Sequence, residues 1–548
     1  MGEPEIEPEK PTPRAGTSAS ALVAAGILLS RMAGLVREAA TAQFLGTTIY
    51  ADAFRAGLRM PNFLQNLLGE GTLSASFIPV YSELLHEGRK EEAGRVAGAI
   101  FALLLALAGA LSLGGVLLAE PLTSVFLPGF SGEQRRLTIQ ITRIIFPMTG
   151  MLVLSAWSLG ILNSHRKFFI PYVAPVLWNV AIIAALYLFG GRVTSYDLVV
   201  AVSWGALVGG ALQFLVQLPW VLRLERGLKV RWDLHREGVR VALRNAGPAV
   251  MGRGVVQLSS YADAVLASFL AAGAFATFTY ATTLYVLPVS LFGMSVAAAE
   301  LPELARQRTG SHEVLRERTR AGLERIAFYV VPSFMAFMAL GDVVVATLYQ
   351  RGKFVHADTL NVWVTLAGLA AGLLATTTSR LFSSTFFALR DTRTPARYAT
   401  VRVVLSIVLG IILMLAFEGV DSGVLHIPGG PLSGVRVAGR QIGVFGLALG
   451  AGIAAWVEWA LLKRALHRKI GGAGARGTVL ARMFVAAGIA AAVGWGIKLA
   501  LPPVSSLVSG VVILGAYGVV YFVAAAALGL GEARAFFGRF TRLIGKRR

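Results

Sequence analysis

Residues 30–80 are apolar enough for membrane helix, yet they carry Arg31, Arg37, Glu38, Asp52, Arg55, Arg59 and Glu70. The chemistry open to such a set is recognition of charge in a low dielectric. A charge near the centre of a bilayer costs about 3 kcal/mol on insertion scales, so these residues are expected to face a wet cavity or one another. Spacing groups them further. Asp52, Arg55, Arg59, Asn62 and Asn66 recur every three or four residues and share one helix face. Arg31 and Glu38 lie two turns apart, with Arg37 on the adjacent stripe. A polar cavity shared by several helices accounts for the whole set. The competing reading, helix-end charges reaching the headgroups, suits Arg55 best when that residue is taken alone.

The elements that position these groups follow from composition. Of 548 residues, 55% are hydrophobic and 15% charged, and the mean hydropathy is +0.66. Soluble domains carry about 25% charged residues. Apolar runs recur from end to end, which gives an all-α polytopic membrane protein with about 14 transmembrane helices. The chain has no cysteine, so disulfides, thiolate metal sites and cysteine nucleophiles are excluded. Its seven histidines are scattered, so no metal is expected. No nucleotide-binding P-loop and no hydrolase constellation is present, and the reading is a transporter rather than an enzyme.

The net charge of +21 does not point to nucleic acid. With the N-terminus placed in the cytoplasm, the inside loops hold about 35 Lys and Arg and the outside loops about six, as membrane insertion requires. Residues 1–18 read as an acidic, proline-rich disordered cytoplasmic tail. They lack the basic start of a signal peptide, so the first apolar segment is expected to remain. The expected organisation continues with an N-terminal lobe over 19–221, a cytoplasmic amphipathic linker over 222–244 and a C-terminal lobe over 245–462. A basic cytoplasmic loop (463–478), two further spans (479–530) and a basic cytoplasmic tail (531–548) complete it. Residues 304–325 also read as a short amphipathic helix on the membrane surface.

An internal repeat supports the two lobes. REAATAQFL at 37–45 aligns with ADAVLASFL at 262–270, which sets Glu38 opposite Asp263. Pro61 and Pro288 fall in the spans that follow, FLPGF at 126–130 matches YQRGKF at 349–354, and LNSHRKFFIP at 162–171 matches LRDTRTP at 389–395. Repeated halves place a substrate site between them near the midplane, and here the halves are expected to be parallel.

The stretches SRMAGLVRE (30–38), ADAFRAGLRMPN (51–62), GEGTLSASFIPVY (69–81), ILNSHRKFFIPYVAPVLWN (161–179), YQRGKF (349–354) and ALRDTRTP (388–395) resemble the MurJ/MviN family of lipid II flippases. That family belongs to the multidrug/oligosaccharidyl-lipid/polysaccharide exporter superfamily. The resemblance spans roughly residues 20 to 530 and implies two six-helix lobes in a V around a cationic cavity, with the last two spans forming a groove for the undecaprenyl tail. It implies a multi-pass protein of the bacterial cytoplasmic membrane, with lipid II or a related polyprenyl-diphosphate glycolipid and membrane lipids as partners, and a monomer. It also implies that Arg31, Arg37, Asp52 and Glu70 belong to the substrate site.

Two cationic positions of the family are neutral here, Gln65 in the second span and Thr283 in YATTL. A diphosphate is best held by several charge-assisted hydrogen bonds. Arg59 and Arg253 are the nearby candidates to restore that charge, and Asn62 shares the face of Arg59. A headgroup anchor is the alternative for Arg59. Asp263, beside Ser259 and Ser260, is a candidate for coupling to Na⁺ or H⁺, with pairing to a cavity arginine as its alternative; no other cofactor is expected. Glu458 near the end of the twelfth span reads as an interface residue. The expected activity is transfer of lipid II from the inner to the outer leaflet by alternating access. The alternatives are a flippase for another polyprenyl-linked glycan or a small cationic drug, and a transport-inactive membrane scaffold.

Overall fold

A computed structural model describes residues 15–225, 228–306, 312–421, 425–472 and 474–534; the side chains of residues 15–22, 24, 67, 70, 249, 251–260 and 421 lie outside the description. In hydrocarbon a backbone must satisfy its own polar groups, and helix is the economical way to do so. The chain begins with α1 (Ala15–Leu45), α2 (Ile49–Leu68), α3 (Glu70–His86), α4 (Lys90–Leu117), α5 (Ala119–Phe126) and α6 (Gly132–Ser164). It continues through α7 (Phe169–Phe189), α8 (Ser195–Leu215), α9 (Leu218–Leu224), α10 (Glu237–Ser268), α11 (Ala274–Pro288), α12 (Ser295–Arg306) and α13 (His312–Ala339). It ends with α14 (Gly341–Tyr349), α15 (His356–Ala370), α16 (Leu373–Ala388), α17 (Arg393–Phe417), α18 (Gly443–Ile470), α19 (Gly477–Ala500) and α20 (Ser506–Ala527). Among the described residues, 11 helices or unbroken helix runs are long and apolar enough to cross a membrane. The protein is an all-α polytopic membrane protein. Strands among the described residues are confined to two hairpins between α17 and α18: β1 (Val420–Asp421) with β2 (His426–Ile427), and β3 (Arg436–Val437) with β4 (Arg440–Gln441).

The repeat is visible in where helices break. α2 yields to α3 at Gly69, after Pro61, and α11 yields to α12 through a π-helical turn, Val289–Met294, directly after Pro288. At Pro288 the proline removes one ladder donor and the following π turn absorbs the mismatch, whereas α2 runs on past Pro61 to Leu68 before it breaks.

By packing, the described chain falls into two units, residues 15–37, 57–119 and 140–256 in one and 38–56, 120–139 and 257–534 in the other. The first is built around Phe77, Tyr81, Trp157 and Ile161, all fully buried. Trp157 donates to the Ala97 carbonyl at 3.2 Å, so its one polar atom is satisfied inside the core. Tyr81 donates to Glu225 and meets His165 Nε2 at 2.9 Å. The stretch 222–244 is not the amphipathic helix expected. Described residues 228–236 are non-helical, because Leu228 and Leu234 turn inward onto this core and Asp233 pairs with Arg236 at 2.6 Å.

In the second unit, α19 and α20 dock on α13. Alanines 486, 487 and 490 of α19 are fully buried and permit close helix approach. Tyr517 and Tyr521 donate to the carbonyls of Pro332 and Phe328 at 2.7 and 2.6 Å. Arg476 pairs with Glu324 at 2.8 Å, and Lys498 with Asp342 at 2.5 Å, so α19 is pinned near both ends. The expected surface helix over 304–325 is instead the end of α12 and the first turns of α13 on either side of residues 307–311, which lie outside the described residues. Glu300 holds the two helices together through Arg318 (3.0 Å) and Arg325 (2.9 Å). Glu458 is buried rather than interfacial and pairs with Arg402 of α17 at 3.0 Å.

Asp391 caps the start of α17 by accepting from the Thr394 N–H at 3.0 Å and its hydroxyl at 2.8 Å. Hydrogen bonding from Lys469, aided by Thr394, holds its carboxyl at about 2, below the usual 3.8. A carboxyl depressed by folding contributes in full above its unfolded value and loses that contribution as pH falls through the folded one. Asp391→Asn should therefore lower the thermal midpoint by a constant margin between about pH 5 and 8, a margin that narrows toward about pH 3; melting curves of the purified protein across pH check this.

Candidate functional site

Three buried charged side chains, Asp52, Arg55 and Asp358, gather around the corner between α1 and α2. Three small polar assemblies share it. In the first, Arg55 donates to Glu38 Oε2 at 2.6 Å, with the two side chains only 5% and 12% exposed. The guanidinium lies 3.8 Å from the centre of the Tyr280 ring, so one face meets a π-cloud and one edge a carboxylate. Tyr280 is itself wedged against Tyr349 and Phe354, with centroids at 4.9 and 5.4 Å, and its hydroxyl donates to the Gly46 carbonyl at 3.2 Å. Arg55 is thus a buried partner, not a headgroup anchor.

Asp52 forms the second assembly. Helix α11 starts after Gly273, which has no side chain to cap it. Asp52 does so from α2: its carboxylate accepts from the N–H groups of Gly273 and Ala276, both at 2.7 Å, and from Gln134 Nε2 at 3.0 Å. A carboxylate at a helix N-terminus answers both the orphan donors and the macrodipole.

The third assembly joins three distant segments. Thr47 donates to Asp358 Oδ1 at 2.5 Å, Arg440 Nη2 lies 2.5 Å from the same oxygen, and Arg440 Nη1 donates to Thr47 Oγ1 at 2.7 Å. Asp358 Oδ2 accepts from the Val355 N–H at 2.8 Å and closes the start of α15.

The repeat explains why these groups meet. The aligned segments are offset by 225 residues, so positions 55 and 280 are equivalent, and Arg55 and Tyr280 stack on each other. Positions 43 and 268 are equivalent too. A methyl on Gly352 would sit 2.4 Å from the Gln43 carbonyl oxygen, and one on Gly129 would sit 2.2 Å from the Ser268 carbonyl oxygen. Each motif turn, FLPGF and YQRGKF, therefore packs on the end of the other half's first helix, where only glycine fits.

The residues expected to bind substrate are distributed as follows. Arg37 stacks over Trp178 at 4.7 Å, Arg31 is exposed, and Arg59, Asn62 and Gln65 are half-buried; all five belong to the first unit. Asp52 is in the second unit and fully engaged with α11 and Gln134, and Asp263 is half-buried there. Glu70 and Arg253 lie in α3 and α10, but their side chains, like those of Ser259 and Ser260, are outside the described residues. Sequence reasoning missed Trp178, Tyr280, Gln134, Asp358 and Arg440. Trp178 sits in a quoted motif, and Tyr280 occupies the repeat position of Arg55. Among the described residues no cluster of three or more His, Asp or Glu could hold a metal ion.

A family model described as "Lipid II flippase MurJ" matches residues 41–423. A probable lipid II flippase MurJ from Rhizobium tropici is 32% identical over 413 residues, covering 73% of this chain and 76% of that protein. The lipid II flippase MurJ of Burkholderia cenocepacia is 32% identical over 380 residues, covering 68% and 73%. Among solved structures, a lipid II flippase MurJ in an inward closed conformation superposes with a TM-score of 0.74 at 22% identity, over 92% of this chain and 98% of that one. An inward-facing multidrug resistance transporter of the MATE family and MOP superfamily gives 0.64 at 18% identity, over 83% and 98%. At these identities the structural likenesses concern the fold.

Removing one member of a buried ion pair strands the other, at a cost of about 3–5 kcal/mol. Arg55→Gln and Glu38→Gln should each lower thermal stability clearly, and the double variant should lose less than the two losses added together. A double-variant loss equal to that sum would mean the pair is not coupled.

Proposed function

The chain belongs to the lipid II flippase MurJ family, and from that premise we propose that it moves lipid II, the undecaprenyl-diphosphate-linked peptidoglycan precursor, from the inner to the outer leaflet of the bacterial cytoplasmic membrane. The proposed architecture is fourteen spans, two lobes of six and a C-terminal pair, with both termini cytoplasmic. On this assignment α1, the α2–α3 run and α10 are spans as well; their charge is what a transport path needs and what lowers their apparent hydropathy. The α1–α2 corner then lies at the outer face.

Arg31 and Arg37 bind the diphosphate, with Arg59 and Arg253 supplying the charge that Gln65 and Thr283 do not. Asn62, Gln65 and Glu70 shape the same site. The stacking of Arg37 on Trp178 supports this role, because a guanidinium already ordered on an indole loses less freedom when it takes up a ligand. Asp263 is the candidate for Na⁺ or H⁺ coupling.

The observation that carries alternating access is the way the outer corner is held. Asp52 on α11, Arg55 on Tyr280 and Thr47 on Asp358 are non-covalent polar contacts between segments of the two repeated halves. They can be broken and remade as a set. Cargo shifts such an equilibrium by the difference in its affinity for the two states. Diphosphate binding neutralises clustered cationic charge, which favours the state in which those charges approach.

The test is complementation in a bacterium depleted of its own lipid II flippase. The chain should restore growth, and Arg37→Ala and Arg253→Ala should each abolish rescue while the protein stays in the membrane. Rescue surviving Arg31→Ala and Arg37→Ala would overturn the binding role of those two arginines. Failure of the unaltered chain, present in the membrane, would move the cargo to another polyprenyl-linked glycan.

A further inference from the structure

We propose that Arg440, Asp358 and Thr47 form an ionic latch on the outer face, in which Arg440 and Asp358 are positioning residues that hold the α1–α2 corner and let it go once per transport cycle. The inference rests on the flippase reading for its sidedness and deepens it by naming what controls outer opening.

The three residues come from three places: the α1–α2 turn, the start of α15, and the β3–β4 hairpin that follows α17. The hairpin is built to aim one side chain. Its turn residues Ala438 and Gly439 both have positive φ, 49° and 79°, which is what a tight two-residue hairpin turn demands. Alanine is an uncommon choice there, and the turn is steadied by Arg436, which donates to the Gly439 carbonyl at 3.3 Å. The next residue, Arg440, opens β4 opposite Val437, and its side chain reaches Thr47 and Asp358.

Burial separates a latch from a rivet. The Arg55–Glu38 pair is dry on both sides. Asp358 is 2% exposed, but Arg440 is 34% exposed, so its guanidinium can trade the carboxylate for water without crossing an apolar layer. When Arg440 leaves, Asp358 keeps the Val355 N–H and the start of α15 survives. Thr47 is the only member carried by the α1–α2 turn, so release of two hydrogen-bonding partners frees the corner at this point. The location also runs against the basic-inside distribution of the chain: arginine is scarce in segments placed outside, and this one is turned inward onto a buried acid.

The chain has no cysteine, so a single introduced thiol can report opening. Ala51, in the first turn of α2, is fully buried. Full-length protein carrying Ala51→Cys, reconstituted in vesicles, is treated from the outer side with a membrane-impermeant maleimide. Arg440→Gln should raise the labelling rate by about fivefold or more, the scale of ordinary coupling energies. Asp358→Asn should act in the same direction, and Arg440→Lys should stay near the parent rate. Val345→Cys in α14, also fully buried, is the control and should not change. Parent-like labelling in both Arg440→Gln and Asp358→Asn would overturn the latch, as would an equal rise at Val345→Cys, which reports general loosening. Labelling needs no lipid cargo. Failed complementation with raised labelling would count against lipid II and leave the latch standing.

Discussion

A carboxylate taken out of water must be given donors by the protein, and the α1–α2 corner is arranged around that demand at Asp52. The two amide donors of α11 satisfy it, and in doing so they fix where α11 begins. That placement puts Tyr280 two turns further along, under the guanidinium of Arg55, which in turn meets Glu38 on α1. Hydrogen bonds to charged groups contribute about 1.5–3 kcal/mol each, while an uncompensated buried ion costs several. The buried charges of Asp52 and Arg55 are docked with their partners or open to water, whereas Arg440, 34% exposed, can exchange its carboxylate for water on its own.

This all-or-none character suits a machine that must not leak. A corner packed only through leucine and phenylalanine would slide through many near-equal arrangements, whereas fixed donors and acceptors have one register. The contrast lies within the same unit. α19 and α20 meet α13 through alanines and tyrosine-to-carbonyl bonds, pinned near both ends of α19 by Arg476 and Lys498. Those contacts hold position; the corner contacts choose between states.

Much of the helical content was legible because the signal is bulk hydropathy, which survives single substitutions. Pro61 and Pro288 mark the repeat, but hydropathy alone does not show that the helices break after them. The surface helices expected at 222–244 and 304–325 were not found, since amphipathic spacing does not say whether the apolar face meets lipid or core; Leu228 and Leu234 chose the core. The polar face of α2 is legible as a group, but the partners of Arg55 are not, because Glu38 lies in another helix and Tyr280 lies 225 residues away. Arg440 left no local mark. One of two arginines in a loop rich in glycine and valine, it takes its meaning only from Asp358 and Thr47, which the fold brings to it.

The stacking of Arg55 on Tyr280 bears on how a chain of two related halves came to be fixed. Residues at one shared position meet each other, so a chain assembled from two copies of the first half would press guanidinium against guanidinium in a medium that screens poorly. A chain made of two second halves would set tyrosine on tyrosine, with no guanidinium at that position at all. Each half fits only its unlike sibling. Divergence at that one position ties the sequence of each half to that of the other.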